Sequence, residues 1–127
     1  MIDALFNQTN YVATKKMLDA TALRHEAIAS NLANIETPNY KRIDVAPSFQ
    51  SELASALGSK DASKISSLSL NLAEDQNAVS ANRDGNTVQL ESELMKLNQN
   101  TLAHTLETQL VSGALLKLRL AITGRPS

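Results

Sequence analysis

The chain has 127 residues, enough for one domain, and its 12 Lys and Arg against 13 Asp and Glu leave a net charge of −1. This balance argues against a dedicated nucleic-acid binder, which would be strongly basic. The lack of cysteine excludes disulfides, thiolate metal sites and cysteine nucleophiles, and with aromatic residues at 3% Leu and Ala must supply most of the packing area. We therefore expect helix-on-helix packing rather than an enzyme.

The first predicted element is a helix over residues 1–36. One face carries apolar residues at helical spacing, namely Ile2, Leu5, Phe6, Ala13, Ala20, Leu23 and Ala27. We expect the helix to end before Thr37, because Pro38 disfavours helical backbone at the preceding residue. No basic stretch followed by an apolar run marks a cleavable signal peptide, and no apolar run is long enough to span a bilayer.

Residues 37–86 are predicted to form a turn, a linker and a small irregular segment. Their serine-rich part, residues 51–69, suggests a flexible connection, although a short helix over residues 47–57 is compatible with the pattern. Alternating leucines suggest a short strand at Leu68, Leu70 and Leu72. Residues 84–86, Asp-Gly-Asn, are typical of a turn, and the pair Lys41-Arg42 is interpreted as solvated surface.

The strongest pattern predicts a helix over residues 87–123. Steps of four and three residues define a seam of Leu90, Leu94, Leu97, Thr101, His104, Thr108, Val111, Leu115, Leu118 and Ile122. Asn86 or Thr87 is expected to cap the start of this helix, and Gly124 with Pro126 to end it. The predicted fold is mostly α: the two long helices pair antiparallel as a coiled-coil-like hairpin and form one assembly domain.

A second apolar row lies beside that seam, at Met95, Leu102, Leu106 and Leu110. The apolar surface is therefore wider than a two-stranded coiled coil requires, and one helix pair cannot cover it. We expect neighbouring subunits to bury the rest.

Three polar residues interrupt the seam, and two interpretations of their role fit the pattern. Thr101, His104 and Thr108 either form a stripe exposed where the partner helix ends, or weaken an indiscriminate coiled coil and select one register or partner.

No catalytic or metal-binding constellation is evident. His25-Glu26 begins like a zinc-protease helix motif, but Ala29 stands where the second histidine is required. In an antiparallel hairpin His104 is expected to face roughly Leu18, too far from His25 to share a metal. We predict no cofactor, no metal site and no small-molecule substrate.

Residues 30–41 are predicted to end the first helix and to form a tight turn after it. Asn31 and Asn34 share a face, so their amides can bond free backbone carbonyls or a neighbouring chain. Asn39 can adopt the left-handed conformation of a tight turn, and Tyr40 is expected to pack back with its hydroxyl in water.

This segment resembles the N-terminal signature of the bacterial flagellar rod and hook protein family. The matching positions are Ser30, Asn31, Ala33, Asn34, Thr37, Pro38 and Tyr40. Asn39 stands where glycine is common in that family, a change that a left-handed turn tolerates. Residues 83–94 are similar to the D-G-N-x-V-x-L-E-x-E stretch of a short proximal-rod member, and the chain's length also points to the short members.

The resemblance implies a structural subunit of the basal-body rod, the periplasmic drive shaft of flagellum-dependent motility. It implies synthesis in the cytoplasm, export by the flagellar type III apparatus without a cleavable signal, and assembly with itself, other rod subunits and the rod-base adaptor. The residues expected to form the assembly seam are Leu5, Phe6, Leu23, Leu90, Leu94, Leu97, Val111, Leu115, Leu118 and Ile122.

Two other classes compete with this interpretation. A cytosolic helical adaptor or secretion chaperone would share the long amphipathic helices, but it would typically be more acidic and would not need the Asn-Asn-Thr-Pro turn. A helical-bundle metalloenzyme would need carboxylates and histidines clustered on facing helices.

Overall fold

The computed structural model describes residues 8–80 and 82–124 and confirms the predicted, mostly α fold. Two long helices, α1 (Gln8–Ala33) and α4 (Leu90–Thr123), pack against each other. Hydrogen bonds join Asn31 to Glu93 and Thr21 to Glu107, so the two helices run antiparallel. In the residues described, no helix combines the length and apolar character of a membrane span.

The middle of the chain contains the remaining elements: β1 (Ile43–Val45), α2 (Ser48–Ser59), α3 (Ala62–Ser66) and β2 (Leu72–Glu74). The two strands pair antiparallel, with Asp44 opposite Ala73. Leu72 is the one leucine of the predicted alternation that lies in β2, since Leu68 and Leu70 precede it.

The serine-rich segment is not a flexible connection, so that expectation was wrong. The compatible short helix exists, as α2, and its buried residues Phe49, Leu53 and Ala56 follow helical spacing while its serines are exposed. Asp61 caps α3 by accepting hydrogen bonds from the backbone N–H groups of Ser63 and Lys64, at 3.0 and 3.3 Å. A few apolar residues at the correct spacing therefore outweigh the serine content.

The main core lies between α1 and this middle segment. Small residues of α1 allow the close approach of α2, α3 and the two strands, and the buried cluster consists of Ala13, Ala20, Val45, Phe49, Leu53, Ala56 and Ile65. The predicted alanine stripe is thus buried, and Leu23 packs partly buried against the cluster. Ile2, Leu5 and Phe6 lie outside the described residues.

The side of α4 that faces its own chain differs from the predicted seam. All of α4 is described, and its buried residues are Glu93, Asn100 and Glu107, spaced seven apart and all polar. Leu97, Val111 and Leu118 are half-buried beside them, whereas Leu90, Leu94, Leu115 and Ile122 are exposed.

The start of α4 also differs from the prediction, while its end agrees. The helix begins at Leu90 rather than residue 87, and its N-cap is Gln89, without a side-chain capping bond. Asn86 and Thr87 do not cap it, because their side chains are committed to other parts of the fold. At the other end Gly124 is left-handed, with φ 66°, as a helix stop requires.

Candidate functional site

The turn after α1 is built on two left-handed residues that lie against each other. Asn39 has φ 62°, as its position in the turn predicted, and its N–H donates to the carbonyl of Asp84 at 2.8 Å. Gly85 has φ 78°, and a Cβ there would lie 2.5 Å from the Asn39 Oδ1. The backbone conformation therefore favours glycine at position 85, and a Cβ there would also require the Asn39 amide to move.

Asn31 holds the end of α1 to the chain that returns from the turn. Its amide exchanges two hydrogen bonds with the backbone of Ile43, Nδ2 to O and N to Oδ1, both at 2.9 Å. Its Nδ2 also lies 3.4 Å from Oε2 of Glu93. Because the side chain is fully buried, each of these bonds replaces one that water would otherwise make. The amide thus bonds backbone within its own chain, one of the two uses expected for it.

Tyr40 packs back onto α1, but the expectation that its hydroxyl points into water was wrong. The hydroxyl donates to Asn31 Oδ1 at 3.2 Å and lies 3.1 Å from the hydroxyl oxygen of Ser30. The Tyr40 hydroxyl therefore hydrogen-bonds the side chains of two other motif residues, Ser30 and Asn31.

Two asparagine side chains donate to backbone carbonyls at the end of α1 and in the turn that follows it. One of these side chains is distant in sequence. Asn34 donates to the carbonyl of Ser30 at 2.9 Å and accepts from the hydroxyl of Thr37 at 3.1 Å. The buried Nδ2 of Asn86 lies 2.8–3.1 Å from the carbonyl oxygens of Asn34, Ile35 and Thr37. Asn86 therefore caps the C-terminus of α1, not the start of α4.

Replacing Asn86 with alanine should lower the free energy of unfolding by about 1–3 kcal/mol, because the carbonyls of the turn that follows α1 lose the buried amide that donates to them. Urea titration followed by circular dichroism measures the change. Asn82→Ala, at an exposed position four residues earlier, is the matched control and should have little effect. Equal effects of the two substitutions would contradict the capping role.

Arg42 is the centre of the site. The sequence suggested that it is solvated surface, and that interpretation was wrong. Its guanidinium is buried and pairs with Glu93 through Nε, with Asp75 at 2.6 Å and with Asp44 at 3.3 Å. The Arg42 N–H also donates to the Thr87 hydroxyl at 2.8 Å. Carboxylates from β1, from the residue after β2 and from α4 thus meet on one side chain, while Lys41 remains exposed.

The electrostatics of this cluster favour its ionised form. Burial by itself would lower the pKa of Arg42, but hydrogen bonds to Glu93 and Asp75 outweigh it and raise the pKa above its usual range. Burial by itself would raise the pKa of Asp44, yet hydrogen bonds from Arg24 and from the Val45 N–H lower it below the ordinary 3.8. Arg42 and Asp44 are therefore both charged at neutral pH.

The lowered pKa of Asp44 makes the fold sensitive to acid. A carboxyl whose folded pKa lies below its unfolded value contributes stability that is complete above the unfolded value, 3.8, and is lost as pH falls through the folded one. Between about pH 6 and about pH 2 the native protein should lose more unfolding free energy than Asp44→Asn. Asp19→Asn, exposed on α1, should lose as much as the native protein. Parallel curves for the native protein and Asp44→Asn would contradict this assignment.

A second polar contact joins the middle of α1 to α4 around Thr21. The Asn100 Nδ2 donates to the Thr21 carbonyl at 2.8 Å, and the Thr21 hydroxyl lies 3.0 Å from Glu107 Oε2 and 3.2 Å from His104 Nδ1.

His104 therefore packs near Thr21, less than one helical turn from the predicted Leu18, while His25 is exposed. Among the described residues no group of His, Asp and Glu is arranged to hold a metal.

Thr101 and Thr108 are exposed, and their hydroxyls donate to carbonyls of their own helix, at 2.8 and 2.7 Å. Of the three polar seam residues, His104 is the one that contacts α1. The interhelical polar contacts come instead from Asn100 and Glu107.

Many of the apolar side chains of α4 are exposed in the subunit. We call it the outer apolar surface, and its exposed members are Leu90, Leu94, Met95, Leu102, Leu106, Leu110, Leu115, Leu116 and Ile122. Leu102 is 72% exposed and Ile122 68% exposed. Seam residues predicted from sequence are thus divided: four belong to this surface, and three lie half-buried against α1.

Sequence reasoning missed the residues that hold the site together, namely Arg42, Glu93, Asn86, Asn100 and Glu107. One signal was available for three of them, because Glu93, Asn100 and Glu107 repeat every seven residues in the longest helix. No local signal distinguished Arg42 from its exposed neighbour Lys41.

Comparison with known proteins agrees with the family motif. A family model described as flagella basal body rod protein matches residues 18–41, which include the end of α1, the turn and Tyr40. Flagellar basal body rod protein FlgB of Borrelia hermsii is 34% identical over 75% of this chain and 82% of its own length. The proteins of the same name from Borreliella burgdorferi and Aquifex aeolicus are 33% and 31% identical, over 80% and 90% of their lengths. On this similarity across most of each protein, the chain belongs to the FlgB family of flagellar basal body rod proteins.

Proposed function

We propose that this member of the FlgB family is a structural, non-catalytic subunit of the proximal flagellar rod and polymerises through its long helices. The observation that carries the proposal is the outer apolar surface of α4, nine large apolar side chains exposed on one helix. Fully burying one such side chain contributes about 1.5–3 kcal/mol. In the monomer these side chains keep 44–72% of their surface exposed, and a packed array of subunits gains the free energy of covering it.

The family motif supports the same role from inside the subunit. Asn31 is fully buried, Tyr40 is half-buried, and their bonds are made within the chain. We infer that the motif fixes the geometry of the helical hairpin, so that α4 presents the outer apolar surface in one orientation. The contacts between subunits then fall to the predicted seam residues Leu90, Leu94, Leu115 and Ile122.

The partners that fit this proposal are further copies of the chain, other rod subunits and the rod-base adaptor. The cellular route is synthesis in the cytoplasm and export by the flagellar type III apparatus to the periplasm. A chain without cysteine suits that route, because it can be threaded and then fold in an oxidising compartment without mispairing.

Immunolabelling of purified basal bodies tests the proposal. Label on the proximal rod is the expected result. A cytosolic adaptor shares the long helices, and label confined to the cytosolic fraction, with none on basal bodies, would replace the rod proposal with that alternative.

A further inference from the structure

Two opposite sides of α4 have opposite chemistry. The buried side carries Glu93, Asn100 and Glu107, which we call the polar position of α4. Leu102 follows Glu93 by nine residues, about two and a half turns at about 3.6 residues per turn, so it lies on the opposite side. Met95 precedes Leu102 by seven residues and shares that side, where both are exposed, at 61% and 72%. Over residues 93–107 the buried residues of the helix are thus polar, and two of its most exposed apolar residues lie on the opposite side.

This arrangement opposes the hydrophobic effect within a single subunit. Turning α4 by half a revolution would place Met95 and Leu102 against α1 and release Glu93, Asn100 and Glu107 to water. Over residues 93–107 apolar burial alone favours the turned arrangement, which would cover Met95 and Leu102 and uncover the half-buried Leu97. Some other interaction must hold the observed one.

The partners of the polar position supply that interaction. Glu93 pairs with the buried Arg42, whose guanidinium would lose its most buried partner if α4 turned. Asn100 donates to the Thr21 backbone carbonyl at 2.8 Å, and the Thr21 hydroxyl donates to Glu107 Oε2 at 3.0 Å. Turning α4 would leave Arg42 with Asp75 and Asp44 but would break its pair with Glu93, so the turned arrangement is penalised at this buried pair.

We propose that Arg42 and Thr21 act as positioning residues that set the rotation of α4 about its own axis and keep the outer apolar surface available to neighbouring subunits. The first half of this inference concerns the isolated subunit; the second half rests on the proposed rod function. The polar position thus costs the monomer apolar burial and gives it a defined outward face.

Single cysteines report the rotation, because the natural chain has none. Leu102→Cys places a thiol on the outer side, and Asn100→Cys places one on the buried side, where the native residue is 4% exposed. Ser55→Cys, exposed on α2, is the reference. In the otherwise native subunit, a disulfide reagent should modify the thiols at 102 and 55 rapidly and the thiol at 100 slowly.

The same reporters are then placed in Thr21→Leu/Arg42→Met, which removes the hydroxyl that bonds Glu107 and the guanidinium that pairs with Glu93. The backbone carbonyl of residue 21, which Asn100 bonds, remains, and the polar position of α4 is intact apart from Asn100 in its own reporter. In this background Glu93 has no guanidinium partner, and the turned arrangement satisfies every side chain of α4. We expect the thiol at 102 to react about tenfold more slowly and the thiol at 100 about tenfold faster, with position 55 unchanged.

A fast thiol at 102 in the folded double variant overturns the inference, whether or not position 100 becomes reactive, because α4 has then kept its rotation or separated from α1. Cooperative thermal unfolding establishes that the variant is folded. If it is not, Thr21→Leu alone decides: about threefold slowing at position 102 supports the inference, and an unchanged rate overturns it. The assay uses isolated subunits, so its failure is distinct from absence of label on basal bodies.

Discussion

Arg42→Met should lower the free energy of unfolding by about 3–5 kcal/mol, the largest single-residue effect on stability that we expect. The substitution keeps an unbranched side chain of similar length but removes the charge that Glu93 requires. Glu93 has 1% of its side chain exposed, so its carboxylate would stay buried without a cation. Urea titration of the isolated subunit, followed by the circular dichroism of its helices, measures the loss.

The neighbouring lysine is the matched control. Lys41→Met removes one positive charge at the adjacent position, but Lys41 is exposed and contacts the Gly85 carbonyl through its ammonium group. Its effect should stay within about 0.5 kcal/mol. Arg42→Met/Glu93→Leu should recover part of the lost stability, since no charge then remains buried at position 93, while Asp75 and Asp44, which also lose Arg42, are partly exposed. If the double variant is as unstable as Arg42→Met, the ion pair is not the cause.

Leu115→Asp should abolish swimming while leaving the isolated subunit folded. Leu115 is 48% exposed in the subunit, so an aspartate there remains hydrated and the unfolding free energy should change by less than about 1 kcal/mol. In the proposed rod the same side chain is covered by a neighbour, and the carboxylate would be buried without a partner. Soft-agar motility and immunoblots of basal bodies measure the outcome.

Leu97→Asp should block incorporation too, but by a different balance of effects. Leu97 is half-buried against the rest of the subunit, so this variant should also be less stable, which Leu115→Asp should not be. Asn98→Asp adds the same charge at an exposed position of α4 and should leave motility near normal. Normal swimming with Leu115→Asp would remove the outer apolar surface from the assembly contact.

The long helices and the turn were predictable because their signals are local. Spacing of apolar residues identified α1 and α4, Gly124 and Pro38 marked where helices cannot continue, and Asn39 marked the left-handed turn residue. Each signal depends on backbone geometry within a few residues.

Local signals misled where a distant partner decides the outcome. Arg42 resembles Lys41 in sequence, and only the convergence of Asp75 and Glu93 from later in the chain makes it buried. Asn86 precedes a helix and looked like its cap, yet its amide reaches the carbonyls of the other helix. Burial by a few spaced residues, including Phe49, likewise outweighed the serine content of α2.

By itself, then, the sequence determined that the chain is a helical hairpin with a family turn and an apolar surface wider than one helix can cover. The tertiary structure decided which way that surface points. The reason is physical: apolar residues on α4 indicate only that they are to be buried somewhere, since the hydrophobic effect has no direction. The ion pair of Arg42 and the hydrogen bonds of Thr21 have direction, and they place Glu93, Asn100 and Glu107 inward and Met95 and Leu102 outward.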